Sequence, residues 1–167
     1  MIRTHEEHTF GPVYDQNSRV LILGSFPSVK SREQGFYYGH PQNRFWKMLA
    51  AIYKEEIPNS IDEKKKFLLK HGIALWDVIE SCDIEGSSDS SIRNVVVNDI
   101  ARILMEAPIK VVLTNGKKAQ ELYRKYVKHP EAVCLPSTSP ANAACKLEKL
   151  IEEWKKWIHG AEENNAE

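Results

Sequence analysis

The chain has 167 residues, which is enough for one α/β domain with a hydrophobic core of its own. Its 23 Lys and Arg residues balance its 23 Asp and Glu residues, and the formal net charge of +0 argues against a protein that coats nucleic acid regardless of sequence. The cysteines Cys82, Cys134 and Cys145 form no CxxC pair, which indicates reduced thiols, with neither a disulfide framework nor a zinc or iron–sulfur site.

Hydropathy along the chain shows no apolar run of membrane-spanning length and no signal-peptide core. Together with the reduced thiols, this indicates a cytoplasmic protein, in a bacterial-type cytosol or nucleoid, without a membrane partner. We also expect the protein to be a monomer. One domain is expected at residues 1–159. The polar segment GAEENNAE at 160–167 predicts a disordered tail.

The first half of the chain predicts two strands and two helices. RVLILGS at 19–25 is apolar up to its Gly and Ser, as in a buried strand that ends in a loop. A helical spacing of apolar residues begins after Asn43, and IDEKKKFLLKHG at 61–72 predicts a second helix that stops at Gly72. GIALWDVIE at 72–80 predicts the second strand. The apolar face of the first helix consists of Phe45, Trp46, Leu49, Ala50 and Tyr53.

The second half of the chain continues the alternation of strands and helices. The segment at 81–94 is rich in Ser, Asp and Gly and predicts a loop. Asn98 or Asp99 can cap a short helix. The remaining predicted elements are a strand at 109–116, a helix at 117–127, a strand at the start of 131–140 and an amphipathic helix at 146–158.

This alternation predicts an α/β protein, a three-layer αβα sandwich around a central, mostly parallel four-stranded sheet. Ligands of such sheets bind beyond the carboxyl ends of the strands. The segments expected at that edge carry much of the polar, Gly and Pro content of the chain. They are GSFPS at 24–28, WDVIES at 76–81, TNGKK at 114–118 and LPSTSPAN at 135–142.

The histidine pair in THEEH at 4–8 suggests a metal site at first sight. The two histidines are three residues apart, whereas the HExxH motif places them four apart. We therefore interpret 4–8 as an exposed N-terminal segment and expect no metal ion and no cofactor.

Hydroxyl and lysine side chains at the strand ends are candidates for phosphate contacts. Lys117 follows Gly116 at a helix start, where it can hold a phosphate or simply be solvated. The hydroxyls of Ser137, Thr138 and Ser139 lie in no GxSxG motif, so bonds to phosphate oxygens are a better interpretation than a nucleophile.

The stretch GFYYGHPQNRFWKML at 35–49 combines loop aromatics with a helix start. Tyr37 and Tyr38 can be core residues or can stack on a flat group, and a base stacked on an aromatic ring gains about 1–3 kcal/mol. Asn43 can cap the helix, or its amide can orient a water molecule or a base edge.

Four segments, in order, resemble the motifs of the uracil-DNA glycosylase superfamily. GSFPS is similar to the first motif, YYGHPQNRFW to the segment with a stacking aromatic and His-Pro-x-Asn, GIALWDV to the strand whose end reads the base, and LPSTSPANA to the loop that clamps DNA phosphates. The resemblance spans roughly residues 19–158. It is closest to the hypoxanthine-DNA glycosylases, also called DNA-deoxyinosine glycosylases.

The resemblance implies a role for each of these positions. Phe26 stands where other branches place the Asn or Asp that handles the attacking water, so Asn43 becomes the candidate catalytic residue, which would hold that water. The residues predicted to bind the base are Gly24, Ser25, Phe26, Tyr38 and Asp77. Those predicted to contact DNA are Pro27, Ser28, His40, Lys117, Ser137, Thr138, Ser139 and Asn142.

The function that the resemblance implies is monofunctional hydrolysis of the N-glycosidic bond of a deaminated base in DNA, with hypoxanthine favoured. An ionised Asp77 can accept the N1–H of hypoxanthine and is a poor partner for the N1 acceptor of adenine, although it can also cap a loop or pair with a basic residue. Two alternatives stay open: a glycosylase acting mainly on uracil or xanthine, and a non-catalytic protein that binds damaged DNA or a nucleotide.

Overall fold

The centre of the fold is a parallel sheet of four strands. The computed structural model describes residues 2–165, with side chains described up to residue 162. The strands lie in the order β3-β2-β6-β7 and all pairs are parallel. Their bounds are β2 Val20–Gly24, β3 Ile73–Asp77, β6 Val111–Asn115 and β7 Ala132–Leu135, where β1 is the N-terminal strand given below. The predicted α/β fold with a four-stranded parallel sheet is confirmed.

Six helices accompany the sheet within the described residues. Every residue of β2 and β3 is buried, which is why these strands read as continuous apolar runs. The bounds of the six helices are α1 Val29–Gln34, α2 Phe45–Tyr53, α3 Ile61–Lys70, α4 Ile100–Glu106, α5 Lys117–Tyr126 and α6 Leu147–Asn165. None of them is long and apolar enough to cross a membrane.

Local sequence explains where the helices begin. The Ser60 side chain accepts the Glu63 N–H at 3.0 Å, and the Glu63 carboxylate accepts the Asn59 N–H at 3.0 Å, so α3 starts in a pair of reciprocal caps. The helix α1 begins in the same way, because the Ser28 hydroxyl oxygen accepts the Ser31 N–H at 3.2 Å. Sequence patterns had not indicated α1, which is only six residues long.

A second, antiparallel sheet corrects two predictions. Its strands are β1 Thr4–Glu7, β4 Ile79–Ile84 and β5 Arg93–Val97, in the order β1-β4-β5. The loop predicted at 81–94 is therefore wrong at both of its ends. The N-terminal segment is largely exposed, as predicted, but it is a paired strand and the side chain of His8 at its end is buried. The polar composition of these strands concealed them, because their stability comes from pairing with segments far away in sequence.

The end of the chain also differs from expectation. The helix α6 continues to Asn165, so 160–165 is helical where a disordered tail was predicted. Residues 166–167 lie outside the described residues.

Candidate active site

A cavity of about 330 Å³ lies at the carboxyl edge of the parallel sheet. Gly24, Asp77 and Asn115 end three neighbouring strands and line it, and the loop after β7 closes one side. All predicted site residues except Lys117 and Asn142 line this cavity, and those two line an adjoining one. The two cavities share Ser137, Ser139, Ala141 and Asp89.

Asn43 is held at the cavity wall by two hydrogen bonds to the oxygen of its amide. The Phe45 backbone N–H donates to Asn43 Oδ1 at 3.0 Å, and the Thr138 hydroxyl donates to the same oxygen at 2.9 Å. A backbone N–H can only donate, so the atom beside it must be the oxygen and the orientation of the amide is fixed. Asn43 is therefore both a local helix-start residue and a wall of the cavity.

Thr138 connects Asn43 to the end of β6. Its side chain is fully buried. The Thr138 N–H donates to Asn115 Oδ1 at 3.0 Å, which fixes the second amide, and Asn115 Nδ2 donates to the Thr138 hydroxyl at 3.0 Å. The hydroxyl proton of Thr138 is then left for Asn43. Two backbone N–H groups, of Phe45 and Thr138, thus fix the amide orientations of Asn43 and Asn115. With both amides fixed, the donor and acceptor of each hydrogen bond to the Thr138 hydroxyl are determined as well.

The orientation of Asn43 determines what it offers to a ligand. Both lone pairs of its oxygen are taken, while its Nδ2 has no hydrogen-bond partner among the described residues. The side chain can therefore donate hydrogen bonds into the cavity and cannot readily accept one there.

Asp77 and Tyr38 approach each other around Gly24. A Cβ atom on Gly24 would lie 2.4 Å from Asp77 Oδ1 and 3.0 Å from Tyr38 Oη, so only glycine leaves space for both polar atoms. Asp77 is 3% exposed, and its other oxygen, Oδ2, lies 2.8 Å from His8 Nε2. His8 was missed by sequence reasoning, because the motif suggested an exposed segment and its partner is 69 residues away.

Tyr38 presents one ring face to the protein and its hydroxyl to the cavity wall. Its ring stacks on Phe45 with centroids 4.1 Å apart. The hydroxyl oxygen is buried, and although the Asn115 side chain lies beside it, no hydrogen bond of normal geometry reaches it from the described residues. Burial and, to a lesser extent, the Asp77 carboxylate raise the pKa of Tyr38 well above its usual range, so the hydroxyl keeps its proton. Tyr37, in contrast, is a core residue whose hydroxyl donates to the Gly11 carbonyl at 2.8 Å.

Phe26 forms an apolar part of the cavity. It is 9% exposed, and the Arg32 guanidinium lies 5.5 Å from its ring centroid. Arg32 also donates to the Pro27 carbonyl at 2.9 Å, which holds the loop after β2 in place. A phenyl ring can shape this wall and can neither bind nor polarise a water molecule.

The loop after β7 is organised by its own backbone. The Ser137 and Ser139 hydroxyl oxygens accept the N–H groups of Ser139 and Ala141, each at 3.1 Å. A hydroxyl that accepts in this way keeps its own proton to donate elsewhere. Arg44 donates to the carbonyls of Ser139 at 2.9 Å and of Asn142 at 3.1 Å, and also bonds to that of Cys145. Sequence reasoning missed this bracing role of Arg44.

The remaining candidates lie around the rim. Lys117 is exposed at the start of α5, and the His40 Nδ1 accepts the Gln42 N–H at 3.1 Å. Asp89, which was not predicted, receives the Ser25 hydroxyl at 3.1 Å. Its pKa is raised because the surrounding wall limits hydration of the carboxyl, although the residue stays exposed at the rim. The functional residues that the sequence did not predict are His8, Arg44, Asp89 and Asn115. Among them only Asn115 belongs to a segment, TNGKK at 114–118, that was expected at the carboxyl edge of the sheet.

In the described part of the chain, no group of three or more His, Cys, Asp or Glu residues is placed so that it could hold a metal ion.

Residues 12–158 match the family model of the uracil DNA glycosylase superfamily. The chain belongs to the uracil DNA glycosylase superfamily. The match covers the parallel sheet and every residue of the cavity wall named above, with His8 just outside it.

Two relatives within this superfamily are similar over most of the chain. A protein of Methanosarcina acetivorans named hypoxanthine DNA glycosylase is 39% identical over 137 residues, which cover 80% of this chain and 86% of that protein. A protein of the same name from Methanosarcina barkeri is 39% identical over 114 residues, 67% of this chain and 72% of that one.

A solved structure agrees with the fold. The solution NMR structure of a Methanosarcina acetivorans protein, provisionally assigned as a uracil DNA glycosylase, superposes with a TM-score of 0.79 at 34% sequence identity. The alignment covers 92% of this chain and 96% of that protein.

Proposed function

We propose that the chain is a monofunctional DNA glycosylase that hydrolyses the N-glycosidic bond of deoxyinosine and releases hypoxanthine. The observation that carries the proposal is the buried Asp77 carboxylate, which turns one oxygen toward Gly24 and Tyr38 at the cavity wall. That oxygen can accept the N1–H of hypoxanthine, and adenine has no hydrogen at this position. The names of the two Methanosarcina relatives support the same base.

The substrate base must leave the DNA stack before it can reach the cavity. Extrusion costs a few kcal/mol and is easier for a mispaired base, such as hypoxanthine opposite thymine. The cavity volume of about 330 Å³ lies at the lower end of the range of small-ligand sites, roughly 300–1,000 Å³. Phe26 and the free side of Tyr38 supply apolar surface against which the flat base can pack.

Asn43 is the proposed catalytic residue, with a role that follows from its orientation. As the glycosidic bond breaks, positive charge builds on the sugar and negative charge on the departing base. An amide whose oxygen is occupied cannot draw a proton from water, so we assign its N–H groups to an acceptor on the base. A donor aimed at the atom where charge develops lowers the barrier directly.

The DNA strand would be held by the rim of the two cavities. Ser137 and Ser139 can donate their free hydroxyl protons to phosphate oxygens, and Lys117 adds a positive charge. The further predicted contacts are Pro27, Ser28, His40 and Asn142. Thr138 leaves this group because its buried hydroxyl already serves Asn43 and Asn115. The proposed enzyme acts as a monomer without a cofactor.

Excision from duplexes that carry inosine, uracil or xanthine tests this function. Abasic sites, revealed by strand cleavage in alkali, are expected to form fastest at inosine and to form about 100- to 1,000-fold more slowly with Asn43→Ala. Clear uracil release without inosine release would refute the base preference. DNA binding without any abasic product would show instead a protein that binds damaged DNA.

A further inference from the structure

His8 is a buried histidine with a single polar partner. Its side chain is 2% exposed, and its Nε2 lies 2.8 Å from Asp77 Oδ2. Its other ring nitrogen, Nδ1, is buried and has no hydrogen-bond partner among the described residues. An unpaired buried polar atom is destabilising, so an aromatic ring without nitrogen would serve packing alone better.

Packing and strand pairing together place the His8 ring. The antiparallel pairing of β1 with β4 ends at Glu7, and the His8 N–H then donates to the Glu80 carbonyl at 2.7 Å. The ring lies among three aromatic rings, with centroid distances of 4.5 Å to Phe10, 5.7 Å to Tyr37 and 6.1 Å to Phe26. These contacts leave the ring nitrogen directed at Asp77 as the one polar interaction that His8 provides.

The bond from His8 determines which oxygen of Asp77 a ligand meets. With Oδ2 occupied by His8 Nε2–H, Oδ1 remains, and this is the atom that lies closest to the vacant Cβ position of Gly24. The buried Tyr38 hydroxyl, which makes no hydrogen bond of normal geometry and has the Asn115 side chain beside it, lies 3.0 Å from the same Cβ position. An acceptor, Asp77 Oδ1, and a donor, Tyr38 Oη–H, therefore lie 2.4 Å and 3.0 Å from the vacant Cβ position of Gly24.

We propose that His8 is a positioning residue that fixes the Asp77 carboxylate so that Asp77 Oδ1 and Tyr38 Oη–H together read the N–H and C=O edge of a lactam base. Hypoxanthine presents N1–H and O6 in this order. Adenine presents the reverse, an N1 acceptor beside an N6 donor. A carboxylate free to rotate would lose alignment with Tyr38, and with it the discrimination between the two bases.

The inference rests on the proposed function, and a binding experiment separates the two. Affinities are measured for duplexes with 2′-fluoro-deoxyinosine or 2′-fluoro-deoxyadenosine, which resist cleavage, and for a duplex with an abasic analogue. Loss of a hydrogen bond to a charged group predicts that His8→Phe lowers the ratio of inosine to adenosine affinity by about 10- to 100-fold. Binding of the abasic duplex, which contains no base, should stay within about twofold.

Two further variants control for structural damage. His8→Gln retains an N–H donor and is expected to restore most of the ratio. His5→Phe removes a similar pair on the same strand, where His5 Nδ1 lies 3.0 Å from Asp83 Oδ1 at the surface, and should change nothing. If His8→Phe does not fold, His8→Met provides an apolar and more flexible replacement for the same measurement.

The outcomes are distinct. A wild-type protein that never releases hypoxanthine refutes the proposed function. A wild-type protein that releases it, with His8→Phe keeping the inosine preference within twofold, refutes the role of His8 alone. Equal losses on inosine, adenosine and abasic duplexes would also refute that role, because they indicate general damage to the fold.

Discussion

Replacement of Thr138 by Val tests whether the hydrogen-bonded side chains of Asn115 and Thr138 orient the amide of Asn43, the proposed catalytic residue. Valine has nearly the shape of threonine and fits the fully buried site, but it cannot donate to Asn43 Oδ1 at 2.9 Å or accept from Asn115 Nδ2 at 3.0 Å. The unpaired amide group of Asn115 predicts a loss of about 1–3 kcal/mol in the free energy of unfolding. For a chain of this size that corresponds to a fall of about 2–12 °C in Tm.

The effect on catalysis should exceed the effect on binding. Without the Thr138 hydroxyl, Asn43 keeps only the bond from the Phe45 N–H at 3.0 Å and can rotate about it. A misplacement of about 1 Å can cost a factor of about 100 in rate, so we expect single-turnover release of hypoxanthine to slow by about 10- to 100-fold. Asn43→Ala, which removes the donor entirely, should slow it by about 100- to 1,000-fold.

Thr138→Ser is the matched control, because it keeps the hydroxyl and should retain most of the rate. The opposite pattern would refute the reasoning. If Thr138→Val excises at the wild-type rate but binds DNA more weakly with a smaller salt dependence, then Thr138 contacts a phosphate and does not orient Asn43.

Three other predictions follow from the geometry. Gly24→Ala should abolish release of hypoxanthine in the alkaline cleavage assay, because its Cβ would meet Asp77 Oδ1 at 2.4 Å; Gly11→Ala, where no atom lies within 4 Å, should behave as wild type. Lys117→Ala should weaken binding of all DNA sequences alike and lower the slope of log affinity against log salt by about one; an unchanged slope would exclude a phosphate contact. Burial raises the pKa of Tyr38 in the folded chain. Above about pH 10 the Tyr38 hydroxyl therefore loses its proton in the unfolded chain and keeps it in the folded chain, so the free energy of unfolding should decrease as the pH rises further. Thermal unfolding of Tyr38→Phe should show a weaker fall, and an equal fall would contradict this assignment.

Local patterns in the sequence determine much of the sheet and of the cavity. The strands that end at Gly24 and Asp77 are buried on both faces, so their continuous apolar runs and polar ends were visible without a structure. Because parallel strands end at one edge, the chain positions of these polar ends were enough to predict that they line a common site.

The contacts that orient those side chains could not be predicted from local sequence patterns. Arg44 reads as a helix-start residue, but its guanidinium bonds to carbonyls nearly 100 positions away. His8 reads as part of a polar N-terminus, because only the pairing of β1 with β4 reveals that it points inward. Thr138 belonged to a correctly located loop, yet the use of its hydroxyl depends on two amides from other segments. Sequence thus located the polar groups, and long-range contacts decide which atom each one presents.

Because Phe26 is apolar, other residues must supply the hydrogen-bond donors and acceptors of the cavity. With an apolar ring at the position where the resemblance expects an Asn or Asp, the loop after β2 contributes shape and a glycine gap. In the proposed function, acceptor function falls on Asp77, which bonds to His8, and donor function falls on Asn43, which bonds to Thr138. In both cases a buried partner binds one polar atom of the group, Oδ2 of Asp77 or Oδ1 of Asn43. The other polar atom, Oδ1 of Asp77 or Nδ2 of Asn43, is left for the ligand. The proposal therefore predicts that base selection depends on His8 and bond cleavage on Thr138, so that a variant of either residue should impair its own step and leave the other step intact.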